Sequence, residues 1–343
     1  MYQKEGFRQT DEETFSMTIP ADRDFRILQL TDLHLGFGPL SIRADRLAMQ
    51  AVRKIIRRAE PDLIILTGDF IFPFLPKTGT MNNRRQARRL LSFLDQVQIP
   101  YTFTLGNHDC EIGAPCRREE MAGLLNQGSY SFFARGPRDI FGVGNFFLKL
   151  TDFKGRLIMP LVLLDSNMYG GGWFYSGFDS IHDDQTAWCM NRLAKMQEED
   201  PSLAAMAFFH IPPKEFKEAY AKMKSGDRSV TYCHGGIGER EDYFGISNRP
   251  GQFFSEAVRN RTIKWMFCGH DHLNNLSLIY QGIRLTYGMS VDYLAYRGIR
   301  KKKIQRGGTR ITIHPDRSVD VEMIPLHAIV TPMVRGGNYC GGV

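Results

Sequence analysis

Short apolar runs recur along this chain, and several stop abruptly at a turn of polar residues. The first three are "FRILQLTDLHLG", "PDLIILTGDFI" and "PYTFTLGNHD". Runs this apolar read as strands buried on both faces. Between them, residues 43–60 ("RADRLAMQAVRKIIRRAE") carry apolar side chains at helical spacing, and 83–96 form a second, basic amphipathic helix. This strand–helix alternation predicts a mainly parallel sheet covered by helices.

The theme continues downstream. "RLIMPLVLLDSN" reads as a strand, 183–197 as a helix, and "AAMAFFHIPP" and "TIKWMFCGHDH" as further strands. "LSLIYQGIRLTYG" and "TRITIHPDRSVDVEMIP" place their strands close together, which predicts antiparallel pairing and a mixed second sheet. No repeat and no linker rich in Pro, Ser or charge divides 1–330, so one domain is expected there. The glycine-rich end, 331–343, lacks core-forming residues and reads as a loosely ordered tail.

The chain has 343 residues, of which 43% are hydrophobic and 24% charged, a balance ordinary for a globular enzyme. No apolar run approaches the ~18 residues of a membrane span. The N-terminal stretch has no apolar core of a secretory signal. Six cysteines without a C-x-x-C pair make a disulfide framework or a cysteine-based zinc module improbable, so a cytoplasmic location is expected. The 44 basic residues outnumber the 37 acidic ones, and the excess sits in 297–310 ("RGIRKKKIQRGGTR"). Such a patch either draws a polyanion, nucleic acid included, or is a solvated hairpin loop.

The polar turns carry the chemistry. "LTDLHLG" supplies Asp32 and His34, "LTGDF" supplies Asp69, and "LGNHD" supplies Asn107, His108 and Asp109. "FFHIPP" supplies His210, and "CGHDH" supplies His270 and His272. In an open α/β sheet the loops beyond the carboxyl ends of the strands meet in one crevice, so distant segments can build one site. Residues two apart on a strand share a face, which would project Asp32 with His34 and His270 with His272. Gly68, Gly106 and Gly269 precede ligand candidates and allow close backbone approach. Four histidines, two aspartates and an asparagine form a mixed N/O set that suits zinc, manganese or iron better than calcium. Seven donors are too many for one tetrahedral ion and suit two ions sharing a carboxylate, an arrangement that clamps a phosphoryl group.

The ordered set D-x-H, G-D, G-N-H-D, H and G-H-x-H resembles the calcineurin-like metallophosphoesterase superfamily. That resemblance implies two mixed β-sheets packed as a sandwich flanked by helices. It also implies that Asp32, His34 and His272 hold one divalent ion (Mn, Fe or Zn), that Asp69 bridges, and that Asn107, His210 and His270 hold the other. By the same resemblance His108 contacts the phosphate and serves the leaving oxygen, Asn107 also meets substrate, and Asp109 orients His108. The implied activity is hydrolysis of phosphate mono- or diesters by a bridging hydroxide. The alternatives are a nuclease or cyclic-nucleotide phosphodiesterase, or a non-catalytic scaffold on the same fold.

Departures narrow the branch. Purple acid phosphatases place a tyrosine three residues after the G-D aspartate, where this chain has Phe72, and lack the histidine that is here His34. The protein serine/threonine phosphatases carry G-D-x-V-D-R-G and G-N-H-E, against "GDFIFP" and "GNHD" here. "SGFDSIHDDQTAWCMNRL", "AFFHIPPKEF" and "FCGHDHLNN" resemble the purple acid phosphatase 29-like and Dcr2-like group, whose name does not establish a purple centre. Among the remaining histidines, His182, His234, His314 and His327 read as structural, with His234 the best candidate for substrate contact. Trp173, Phe174 and Tyr175 read as an aromatic wall or a packed loop. Cys268 faces either the ligands or the sheet interior, and Arg84, Arg85, Arg88 and Arg89 a solvated helix face.

Overall fold

Three parallel strands open the architecture: Phe25–Leu30, Leu63–Thr67 and Tyr101–Thr104 lie side by side in that order. Gly307–Ile313 adds antiparallel to the first, and Val319–Pro325 completes a five-stranded mixed sheet. The computed structural model describes residues 3–4, 7–170, 177–247, 249, 251–296, 298–301 and 305–329. The expected boundary at 330 and the tail 331–343 lie outside these residues, as do Trp173, Phe174 and Tyr175.

A second sheet has ten strands. Its centre is parallel, running Leu157–Leu163, Ala205–Phe208, Ile263–Cys268 and Ile283–Tyr287. Antiparallel strands Ser277–Tyr280 and Val230–His234 finish one edge. On the other side Phe146–Thr151 pairs antiparallel to Leu157–Leu163 and parallel to Thr14–Thr18, beyond which come Phe7–Asp11 and Gln3–Lys4. Phe146–Thr151 and the N-terminal strands were not among the expected strands, and of them Phe7–Asp11 is largely solvated. The helices Arg118–Leu125, Glu215–Lys224 and Phe253–Asn260 also went unforeseen, being too short to establish a helical period.

Side-chain alternation makes the two sheets into a sandwich. Leu161, Leu163, Met206, Phe208 and Phe267 join the cluster that also holds Ile27, Ile65 and Phe103 of the five-stranded sheet. Their neighbours Val162, Ala205, Ala207, Met266 and Cys268 point the other way, into a cluster with Cys189, Leu193, Phe216 and Phe253 from the outer helices. The period-2 pattern thus feeds two cores from one set of strands.

The helix Ile42–Ala59 shows how sequence sets an element and fixes a loop. Ala48, Ala51, Val52, Ile55, Ile56 and Ala59 are its buried face, and it ends at Glu60 in a left-handed cap, with Arg57 and Arg58 on the favourable end of the dipole. Buried Asp45 in its first turn accepts from the N–H groups of Gly36 and Phe37, both at 2.8 Å, and from the Ser41 hydroxyl at 2.7 Å. It therefore ties the segment after His34 to the helix. Replacing it strands two N–H donors, so Asp45→Ala should lower unfolding free energy by about 2–4 kcal/mol in urea titration.

Candidate metal centre

The strands Phe25–Leu30, Leu63–Thr67, Tyr101–Thr104, Ala205–Phe208 and Ile263–Cys268 end together, and the residues that follow them converge. The loops after the first two are zipped by backbone bonds: Asp32 N–H donates to Gly68 O at 3.2 Å and His34 N–H to Asp69 O at 2.9 Å. Gly269 N–H reaches His210 O at 3.0 Å from the other sheet. All seven predicted ligands are brought to this junction.

Donor atoms of six of them, together with His108, form three overlapping groups, each within 4.8 Å: Asp32, His34 and His272; His34, Asp69 and His108; Asp69, His210 and His270. Asp69 Oδ2 lies 3.4 Å from His34 Nε2 and 3.1 Å from His210 Nε2, which makes it the shared carboxylate. Asn107 Oδ1 is 3.2 Å and His270 Nδ1 3.3 Å from His210 Nε2. His210 Nδ1 is turned inward by the carbonyl of Thr67 at 2.8 Å, so its other nitrogen faces the junction.

The expected strand parity is not how the pairs arise. Asp32, His34, Asp69 and His270 take positive φ angles of 51°, 47°, 51° and 77°, so they sit in turns beyond the strand ends. Each such residue costs about 1–3 kcal/mol that the surrounding packing offsets. The glycines make room: a Cβ on Gly106 would stand 2.1 Å from Asp69 Oδ1, and one on Gly68 2.4 Å from the His210 ring. Cys268 faces the helix layer, where burial pushes its thiol well up.

The electrostatics favour a bound cation. Burial opposes charge on His210 and His272, yet the carboxylates of Asp69 and, for His272, Asp292 and Asp32 outweigh it and hold both imidazoles up at about 9. Burial likewise opposes the Asp69 anion, but the imidazoles of His210, His108 and His34 keep its carboxyl well below the usual range. Such a junction attracts positive charge, whether protons or metal. Asp32 Oδ1 and both ring nitrogens of His34 are buried without a hydrogen-bond partner. Buried polar atoms left this way cost free energy that metal ligation would remove, so the donor set fits divalent ions.

Asp109 requires a correction. Its carboxylate does not touch His108; it accepts from the N–H groups of Gly106 at 2.7 Å, Asp69 at 3.0 Å and Ile71 at 3.1 Å. Three short-range donors pin the Asp109 side chain beneath the loops it braces. The partner of His108 Nδ1 is Glu111, three residues on in the same turn. Burial lowers the basicity of His108, but Asp69 and Glu111 outweigh it and raise its pKa, and the ring edge rests on Phe72 at 5.1 Å. Two further residues carried no pattern signal. Asp292 stands 3.2 Å from His272 Nδ1 and accepts from the N–H groups of Leu294, Ala295 and Tyr296. Arg118 pairs with buried Asp165 and donates to Gly106 O at 3.1 Å, holding the Asn107 turn from behind.

The other candidates go elsewhere. His182 stacks on Phe141 and pairs with Asp179, His314 bonds Asp24 and Asp320, and His234 Nδ1 faces Arg284. Within the basic stretch, Arg306 is buried over the Tyr293 ring and Arg310 pairs with Glu322 at 2.8 Å, so neither is part of a free solvated loop. No helix among the described residues is long and apolar enough to cross a membrane.

A two-sheet α/β sandwich with histidines and carboxylates gathered at its strand ends is the fold of the metallophosphoesterases. A solved dimetal phosphatase from Danio rerio (LOC 393393) has this fold, with a TM-score of 0.57 at 12% identity over 89% of this chain and 97% of that one. The sequence profile of the calcineurin-like phosphoesterases matches residues 25–274, and the chain belongs to that family. It is 27% identical to the "Probable inactive purple acid phosphatase 29" of Arabidopsis thaliana, over 80% of this chain and 73% of that one. It is 26% identical to "Phosphatase DCR2" of Saccharomyces cerevisiae over 81% of its own length, but spans only 49% of that relative.

Because the Asp292 carboxylate lies 3.2 Å from His272 Nδ1 and raises the basicity of that ring, Asp292→Asn should weaken metal binding about 10- to 100-fold. Isothermal calorimetry with Mn²⁺ on the metal-stripped protein checks this, beside circular dichroism to verify that the fold persists.

Proposed function

We propose that this protein is a metal-dependent phosphoesterase in which Asp32, His34 and His272 hold one divalent ion and Asn107, His210 and His270 a second, with Asp69 shared. The observation that carries the reading is the Asp69 carboxylate, buried between two groups of candidate ligands, in the first of which Asp32 Oδ1 and both ring nitrogens of His34 lack a hydrogen-bond partner. Divalent ions bound there would neutralise phosphoryl oxygens and lower the pKa of water.

The chain's own residues supply the rest. His108, held through Nδ1 by Glu111 and with its pKa raised by Asp69 and Glu111, would serve as the proton donor to the leaving oxygen. Asp109 sets the relative height of the Asp69 and Asn107 turns through its three N–H bonds. Phe72 packs edge-on against the rings of both His34 and His108 and so bounds one side of each. Both mono- and diesters fit this chemistry, because a proton donor improves a poor leaving group.

A scaffold reading draws on the word inactive in the name of the Arabidopsis relative. The complete donor set with an oriented His108 favours catalysis. The nuclease reading is weakened by the internal contacts of Arg306 and Arg310.

The test is hydrolysis of p-nitrophenyl phosphate and bis-p-nitrophenyl phosphate by stripped protein reloaded with Mn²⁺. Turnover should require the metal. His108→Ala should lower kcat by about 10²- to 10⁴-fold, and Glu111→Gln should lower it less, with metal affinity retained. Full metal loading without turnover of either ester, or turnover indifferent to His108, would overturn the assignment.

A further inference from the structure

Aromatic side chains from separate chain segments stand around the metal centre, each against one of its polar residues. Phe72 meets the rings of His34 and His108 edge-on, and half-exposed Phe74 extends that wall outward at 5.5 Å from Phe72. Tyr296 stands edge-on to His272 with ring centres 5.3 Å apart. On the side of the other ligand group, Phe178 lies 4.2 Å from the His270 ring and stacks with Tyr169, whose hydroxyl is 3.4 Å from Asn107 Nδ2.

Three of these rings keep substantial access to water: Phe74 is 39% exposed, Tyr169 38% and Tyr296 38%. Tyr296 is held at both ends, its N–H by Asp292 and its hydroxyl by Glu239 at 2.9 Å. The Lys77 ammonium bonds the Ala295 carbonyl and lies 5.9 Å over the Phe72 ring, which joins the Phe72 wall to the Tyr296 segment. Exposed, fixed aromatic faces next to a polar centre are the arrangement that receives a flat apolar group while a charged group is bound beside it.

Resting on the phosphoesterase reading above, we propose that the substrate carries an aromatic ring, aryl or nucleobase, within reach of the phosphoryl group, and that Tyr296 and Phe74 select for it. The ring would lie against these faces, and the phosphoryl group at the junction of Asp69 and the histidines.

Binding, measured without turnover, tests this on Mn²⁺-loaded protein by calorimetry with three non-hydrolysable phosphonates. Benzylphosphonate should bind at least about tenfold more tightly than methylphosphonate, the size of effect that stacked aromatic contacts give. Hexylphosphonate should fall nearer methylphosphonate. Tyr296→Ala and Phe74→Ala should each shrink the benzyl-to-methyl ratio several-fold, and Tyr296→Phe should retain it. Equal affinity for benzyl- and methylphosphonate, or for hexyl- and benzylphosphonate, overturns the proposal. If p-nitrophenyl phosphate is still hydrolysed in that case, the phosphoesterase assignment survives it. Failure of all three phosphonates to bind, with no turnover, sinks both.

Discussion

A carboxylate shut away from water stays ionised only where positive partners surround it, and Asp69 is so placed. It is 1% exposed and lies within ion-pair distance of His34 and His210, which come from opposite sheets of the sandwich. An uncompensated charge at this depth would cost several kcal/mol. The two sheets must therefore meet with their strand ends in register, or the buried charge has no partner. Bonds across the sandwich serve that meeting: His270 N–H donates to Asp32 Oδ2 at 3.1 Å, Gln29 Nε2 to Cys268 O at 2.9 Å, and His210 Nδ1 lies 2.8 Å from Thr67 O.

The turns themselves are held against their own preferences. Asp32, His34, Asp69 and His270 all adopt left-handed backbone conformations that L-residues avoid. A regular strand would alternate their side chains and separate neighbours that here converge. Strain of this sort persists where packing and hydrogen bonds over-determine it. Asp109 and Asp45 do that work with carboxylates aimed at backbone N–H groups. The cost is spread over a well-packed sandwich whose two cores share one set of strands.

Around the ligands lies a layer that fixes their direction. Thr67 O bonds His210 Nδ1 and Glu111 bonds His108 Nδ1, while the Asp292 carboxylate lies at ion-pair distance, 3.2 Å, from His272 Nδ1. The aromatic faces of Phe72, Phe178 and Tyr296 bound the same imidazoles laterally. The stretch that matches the calcineurin-like phosphoesterase family, residues 25–274, contains all of these imidazoles.

The ligands were legible in the sequence because strong local signals coincide there: an apolar run dictates a buried strand, and the polar turn that ends it must lie at the sheet's edge. That coincidence named Asp32, His34, Asp69, Asn107, His210, His270 and His272 and foretold that they share a crevice. Partnerships were not legible. Asp109 sits next to His108 in sequence, yet the tight turn sends its carboxylate back to Asp69 and Ile71, while Glu111 comes round to the ring. Asp292 acquires its role through the bridge between Thr31 and Ser290, which draws its segment against the first strand's turn. The short strand Phe146–Thr151 and its N-terminal neighbours are specified by the faces they cover. Sequence periodicity determines where the chain must be buried and where it must turn. Which carboxylate meets which imidazole depends on left-handed turns and on contacts between sheets, and those exist only once both sheets have packed.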